Sequence, residues 1–107
     1  MDFVLAYITT KDKEQAMTIG RTLVEERLAA CVNVIDGMTS IYHWDGEICT
    51  DNEAVLIAKT LSAKFEPLTA RVRQLHSYTC PCVVSIPITG GNGGYLDWLA
   101  GEVNTLS

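Results

Sequence analysis

Apolar residues in the first third of the chain change from an unbroken run to a helical spacing. Phe3–Thr9 is apolar almost throughout, which is typical of a central strand buried on both faces. Asp12 and Gln15 then resemble a helix capping box. Apolar positions recur after them with a helical period: Ala16, Ile19, Leu23, Leu28 and Ala29. The pattern predicts a first strand followed by a helix from about Asp12 to Ala29.

The middle of the chain has the pattern of a long β-hairpin. Cys31–Trp44 is rich in β-branched and aromatic residues, with a turn or bulge signal at Asp36-Gly37, and this predicts one long, kinked strand. Asp45-Gly46 favours a two-residue type I′ turn, which needs positive φ at both positions. The chain is therefore expected to return as a third strand from Glu47 to about Thr60.

The last part of the chain predicts a helix, a strand and a closing helix. The second helix opens near Ser62 or at Pro67, and four residues mark its apolar face: Phe65, Leu68, Val72 and Leu75. Cys82–Ile88 is the fourth strand, placed at an edge or strand end because Pro87 lacks the N–H that a central ladder needs. After the Gly-rich segment 90–94, apolar residues mark a short helix: Leu96, Leu99, Val103 and Leu106.

The predicted order is βαββαβ plus a C-terminal helix, an α+β arrangement of the ferredoxin-like sandwich type. Right-handed crossovers place the first and third strands in the middle of the sheet and the second and fourth at its edges. A chain of 107 residues has the usual length of one domain, so we expect a single domain over residues 1–107.

The predicted hairpin is longer than the domain that carries it. Two strands of roughly a dozen residues extend on the order of 40 Å, whereas a domain of this size has a radius of gyration of about 13 Å. The overhanging tip at Ile41–Trp44 is too apolar to be left in water. We therefore predict that another subunit covers it, with Tyr42 and Trp44 as interface anchors and His43 as an interface residue.

Composition and charge limit the classes of molecule that this chain is expected to bind. The net charge is -5 and the basic residues are scattered, which argues against nucleic acid binding. Residues 1–8 carry an acid where a signal peptide has Lys or Arg, and their apolar run is too short for a secretory core or a membrane span. We expect a cytoplasmic protein without a membrane partner, in which the cysteines are reduced.

Several motifs in the right order resemble the CutA family. They read ERLAACVN at 26–33, SIYHWDG at 40–46, LIAKT at 56–60, LHSY at 75–78, IPI at 86–88 and YLDW at 95–98. The resemblance implies a homotrimer related to the nitrogen-regulatory PII proteins, with hairpin strands pairing between subunits. It also implies a role in divalent-cation tolerance, and copper binding. Where the family usually reads HPYEVPE, this chain has HSYTCPC at 76–82, which removes two acids and adds two thiols.

The strongest candidate metal ligands are His76, Cys80 and Cys82, because imidazole and thiolate together suit Cu(I), Cu(II) or Zn(II). On a regular strand, residues i and i+2 stand about 6–7 Å apart, too far for two sulfurs on one metal without a bend. Pro81 can supply that bend. The alternatives are packing, or ligands contributed by different subunits. No cofactor is required; copper or another divalent metal is the ion expected.

The sequence contexts of the other reactive residues point less clearly to one role. Lys59 follows an apolar run, and it either reaches the surface or lines a ligand pocket near Tyr78 between subunits. Cys31 is expected to be buried by packing and Cys49 to be partly exposed. For catalysis, no nucleophile and base occur at a diagnostic spacing, so no catalytic residue is predicted.

Three functions follow from these patterns. The first is a trimeric binding or regulatory protein associated with divalent-metal, especially copper, tolerance, which is not an enzyme. The second is a PII-like sensor that holds an anionic small molecule between subunits near Lys59 and Tyr78. The third is a small hydrolase.

Overall fold

The computed structural model describes residues 2–104. Its elements in chain order are β1 (Phe3–Thr10), α1 (Lys13–Glu25), β2 (Cys31–Trp44), β3 (Glu47–Leu61), a short 3-10 turn (Ser62–Lys64), α2 (Phe65–Leu75), β4 (Val83–Ile88) and α3 (Gly93–Asn104). All strand pairs are antiparallel, and the sheet order is β2-β3-β1-β4. The predicted α+β, ferredoxin-like fold and its strand order are confirmed. Leu106, predicted to belong to the closing helix, lies outside the described residues.

The two faces of the sheet are covered by different helices. Ala6 and Ile8 of β1 and the alternate residues Ala54, Leu56 and Ala58 of β3 are fully buried. They pack against the apolar faces of α1 and α2. A second, smaller cluster joins α3 to the end of the opposite face, with the following members: Ala30, Leu61, Leu99, Val103, Phe3 and Ala100.

Strand β1 is central, as predicted, but its two faces differ in burial. Every second residue from Val4 to Thr10 is buried, whereas Leu5, Tyr7 and Thr9 are half-exposed. The prediction of burial on both faces is therefore wrong for the single chain, because α3 covers only one end of the second face.

The first turns of α1 and α2 follow from local chemistry, whereas the end of α1 differs from its prediction. Asp12 caps α1, where its Oδ1 accepts a hydrogen bond of 2.8 Å from the Gln15 N–H. The predicted end at Ala29 is wrong, since α1 stops at Glu25 and Arg27 adopts a left-handed φ of 60°. Pro67 lies within the first turn of α2, a turn that needs no N–H from it.

The hairpin of β2 and β3 has the predicted kink and turn. The register shifts between Ile35 and Met38, where Gly37 has a φ of 77°. Asp45 and Gly46 have φ values of 53° and 81°, the positive values that a type I′ turn requires. The described chain measures 45 × 27 × 22 Å, as expected for a hairpin that overhangs its domain.

Candidate functional site

A cleft of about 620 Å³ lies along the hairpin. Its residues come from β1, from both hairpin strands and from the segment between α2 and β4: Tyr7, Thr9, Met38, Thr39, Ser40, Ile41, Tyr42, Trp44, Glu53, Tyr78, Thr79, Cys80 and Cys82. The cleft thus brings together five of the seven residues singled out from the sequence: Tyr42, Trp44, Tyr78, Cys80 and Cys82.

Two tyrosine–carboxylate pairs set the electrostatics of the cleft. Glu53 is only 8% exposed and accepts a hydrogen bond of 2.8 Å from the Tyr78 hydroxyl, while Tyr42 donates to Asp51. Burial, followed by the bond to Glu53, raises the pKa of Tyr78 far above its ordinary value. The bond to Asp51 raises the pKa of Tyr42 to about 12. None of the described residues lining the cleft is Lys or Arg, so its potential is negative.

His76 fixes the segment that carries the thiols. Its Nδ1 accepts a hydrogen bond of 3.0 Å from the Tyr78 N–H, so the ring proton lies on Nε2, which donates to the Thr9 carbonyl at 2.8 Å. The imidazole is 9% exposed and packs against the Tyr78 ring, with 4.6 Å between centroids. Nε2 therefore ties this segment to β1, and Nδ1 fixes the backbone of the segment at Tyr78.

Cys80 and Cys82 are exposed and lie just outside the sheet. The fourth strand begins at Val83 rather than at Cys82 as predicted, so Cys80–Cys82 is irregular backbone around Pro81. Between residues 2 and 104, no three His, Cys, Asp or Glu side chains converge in a way suited to a metal ion. The three-residue site of His76, Cys80 and Cys82 stays a prediction.

Lys59 and Tyr78 lie apart in the single chain. The Lys59 ammonium lies 5.6 Å from the ring centroid of Tyr95, whereas Tyr78 bonds Glu53, six residues and roughly 20 Å along β3. A ligand pocket that uses both residues would need two subunits, and it stays a prediction.

Cys31 is half-exposed, so the prediction that packing buries it is wrong. Its sulfur lies 3.1 Å from the Tyr95 hydroxyl, and this bond, ahead of burial, raises the pKa of Tyr95 to about 12. The sequence did not predict this cluster of Cys31, Lys59 and Tyr95. A correct register between β2 and β3 would have placed Cys31 opposite Lys59.

The carboxylates of the cleft were also missed. Asp51 and Glu53 lie on a polar stretch that looked like a solvated strand, and their one signal was the i, i+2 spacing that puts both on one face.

No helix within residues 2–104 is long and apolar enough to cross a membrane.

Comparison with known proteins gives consistent matches over nearly the whole chain. A family model described as CutA1 divalent ion tolerance protein matches residues 4–102. The divalent-cation tolerance protein CutA of Thermus thermophilus is 53% identical over 92 residues, which cover 86% of this chain and 89% of the relative. The chloroplastic protein CutA of Arabidopsis thaliana is 42% identical over 90% of this chain, which spans about half, 53%, of that relative's length.

Solved structures agree with the sequence matches. The Thermus thermophilus divalent cation tolerance protein has a TM-score of 0.91 at 49% identity, covering 94% of this chain and 97% of that one. The Archaeoglobus fulgidus structure, described as a periplasmic divalent cation tolerance protein, has a TM-score of 0.93 at 39% identity, covering 95% and 99%. Fold, matched length and identity together show that this chain belongs to the CutA1 divalent ion tolerance family.

Proposed function

We propose that this chain is a homotrimeric binding and regulatory protein that acts in divalent-metal tolerance, takes copper as a ligand, and has no catalytic activity of its own. The observation that carries the proposal is the match of residues 4–102 to the CutA1 divalent ion tolerance family, together with relatives such as the Thermus thermophilus protein that are named for divalent-cation tolerance. The predicted cytoplasmic location is part of this proposal. Relatives with chloroplastic and periplasmic descriptions make it a property to be measured for each member.

The hairpin supports assembly. Ile41, Trp44 and Ile48 are 71%, 63% and 70% exposed, an apolar surface at the end of an overhanging element. Strand β2 is at the edge of the sheet and leaves one side of its backbone available for pairing. Subunits that pair there would cover both the apolar side chains and the edge.

The cleft supports a cation rather than an anion as ligand. Glu53 is buried in its wall, Asp51 is bonded to the lining residue Tyr42, and thiols from Cys80 and Cys82 face the same space. Soft late transition metals prefer such sulfur donors. This weakens the alternative of a sensor whose anionic ligand contacts Tyr78.

The bonding of the reactive side chains supports a role without catalysis. His76 uses both ring nitrogens in hydrogen bonds, so in this conformation it has none left to act as a general base. The hydrolase alternative has no other observation in its favour.

Growth under metal stress tests the proposal. The chain is expressed in the cytoplasm of a host cell that lacks its own member of the family. We expect this expression to raise the copper concentration at which growth stops. The matched control is the Trp44→Ala protein at equal expression, which should protect less if assembly is required. Unchanged tolerance, with the parent chain accumulating as folded protein, would contradict a role in metal tolerance.

A further inference from the structure

We propose that Cys80 and Cys82 bind a soft monovalent cation, Cu(I), between their two thiolates in the cleft, without His76 as a ligand. The inference rests on the proposed function in metal tolerance, and it specifies the ion and the ligand atoms. Both thiols are exposed, and both line the cleft, whose wall also holds the sulfur of Met38.

The backbone brings the two sulfurs within reach of one ion. Residues two apart have Cα atoms at most about 7 Å from each other, close to the 4.4–6.8 Å range over which two cysteines can be bridged. The Cys82 carbonyl accepts a hydrogen bond of 3.4 Å from the Thr9 N–H of β1. Because β4 begins only at Val83, Cys80 and Pro81 do not follow the regular side-chain alternation of a strand. A linear S–Cu–S unit needs sulfurs about 4.6 Å apart, at roughly 2.3 Å per metal–thiolate bond. That separation is accessible by side-chain rotation alone.

The number of donors selects the ion. Zn(II) in protein sites takes four ligands, and Cu(II) favours a tetragonal set of nitrogen and oxygen donors. In the described part of the chain, no third His, Cys, Asp or Glu joins the two thiols. A cation that is satisfied by two soft ligands fits such a pair, and Cu(I) is the ion of this class that thiolates select in cells.

His76 is excluded as a ligand by its hydrogen bonds. It is absent from the cleft lining, and its two nitrogens bond the Thr9 carbonyl and the Tyr78 amide. Coordination through either nitrogen would break a bond that holds the thiol-bearing segment in place. On binding, each thiol loses its proton to water and Cu(I) joins the two sulfurs, so no electron transfer is needed when copper is supplied as Cu(I).

Competition against a coloured Cu(I) chelator of known affinity, on the purified assembled protein without oxygen, tests the assignment. We expect one Cu(I) per chain. Cys80→Ser and Cys82→Ser should each lower the Cu(I) affinity by more than about tenfold. Even mutation of residues that only hydrogen-bond a metal ligand typically lowers metal affinity about 10- to 100-fold. Cys31→Ser and Cys49→Ser are the matched controls and should bind as the parent does. Equal affinities for the parent and both cleft variants would overturn the proposal.

X-ray absorption of the Cu(I)-loaded parent protein gives a readout that needs no variant to fold. We expect a first shell of sulfur alone; a nitrogen neighbour would overturn the exclusion of His76. These outcomes are separate from the growth test. If the parent chain protects cells from copper but Cys80→Ser and Cys82→Ser bind Cu(I) unchanged, the role in metal tolerance is supported and this site is excluded. If the two cysteines bind Cu(I) tightly but the chain gives no protection, the site is supported and the role in metal tolerance is contradicted.

Discussion

Tyr42 and Tyr95 form hydrogen bonds that oppose the ionisation of their hydroxyl groups, and these bonds affect how the chain responds to alkaline pH. The hydrogen bond to Asp51 raises the pKa of Tyr42 to about 12, and the bond to Cys31 does the same for Tyr95. An unfolded tyrosine has a pKa of about 10. Stability that depends on the neutral phenols is therefore complete below pH 10 and is lost as the pH rises through about 12.

At the scale of single residues, we predict that Glu53→Gln lowers the pKa of Tyr78. The amide removes the negative charge that opposes phenolate formation, while burial still holds the pKa above the ordinary value of about 10. Phenolate absorbance against pH measures the shift, with Tyr78→Phe to assign the transition. Asp51→Asn is the matched control and should move mainly the Tyr42 transition. A Tyr78 transition unchanged by Glu53→Gln would show that the bond does not form.

We also predict that His76→Ala destabilises the fold. It leaves the Thr9 carbonyl and the Tyr78 amide without their partner, and an unsatisfied buried polar group costs about 1–3 kcal/mol. Urea unfolding at a fixed chain concentration measures the loss in unfolding free energy. Thr79→Ala, an exposed position in the same segment, should change it by less than about 0.5 kcal/mol. Equal effects of the two substitutions would refute the anchoring role of His76.

At the scale of elements, close packing between α1 and the hairpin depends on Gly20. A Cβ at this position would lie 2.9 Å from Val32 Cγ2 and 3.0 Å from Leu56 Cδ1. Leu56 is fully buried, so the side chains have little room to move. The helix therefore lies against the sheet at a distance that only glycine permits.

We predict that Gly20→Ala lowers the unfolding free energy by up to about 2 kcal/mol, because an overpacking cost of about 1–3 kcal/mol outweighs the gain of about 1 kcal/mol in helix propensity. The matched substitution is Gly101→Ala in α3, where a Cβ would meet no atom within 4 Å. It should stabilise by up to about 1 kcal/mol. Thermal unfolding of both variants measures the change in unfolding free energy, which should be negative for Gly20→Ala and positive for Gly101→Ala. Stabilisation by Gly20→Ala would contradict the close packing at this position.

The elements themselves could be predicted where one local signal was strong. Asp45-Gly46 predicted the hairpin turn. The continuous apolar run of β1 indicated a central strand, and the handedness of the crossovers placed β3 in the middle of the sheet beside it. The end of α1 could not be predicted, since Arg27 adopts a left-handed φ without the glycine that usually signals it. In this conformation Arg27 forms a 2.5 Å ion pair with Glu102 of α3, a tertiary contact that no local sequence pattern contains.

The candidate site was predictable only in part, because it depends on which residues share a cleft. The sequence singled out Cys80, Cys82, Tyr42 and Trp44 one at a time, and the structure adds that they line one space. Nothing in the pattern separated Tyr78 from Lys59. Their separation follows from the bond of Tyr78 to Glu53, which lies six residues before Lys59 on β3.

At the scale of the whole molecule, the overhanging hairpin is the feature that a single chain leaves unexplained. Its apolar side chains gain nothing from the core of their own domain, and Tyr42 and Trp44 also border the cleft. Assembly through the hairpin would therefore bring a neighbouring subunit to the mouth of the cleft. The proposed assembly and the proposed copper binding would then depend on the same surface.

We predict that Trp44→Ala weakens assembly more than it weakens the secondary structure of the chain. Buried aromatic anchors typically contribute about 2 kcal/mol or more to an interface. Sedimentation over a dilution series measures the dissociation, and circular dichroism measures the secondary structure. Met17→Ala removes an exposed apolar side chain from α1 instead and should leave the assembly unchanged. Equal dissociation of both variants would exclude the hairpin tip as the anchor.

The mass of the parent protein in dilute solution, measured by light scattering, is the most direct test of the proposed assembly. The homotrimer predicts three times the chain mass of 11.7 kDa, maintained on dilution through the range in which Trp44→Ala dissociates. A stable particle of 11.7 kDa would contradict it, because the apolar hairpin would then be left in water and any ligand site between subunits would be lost.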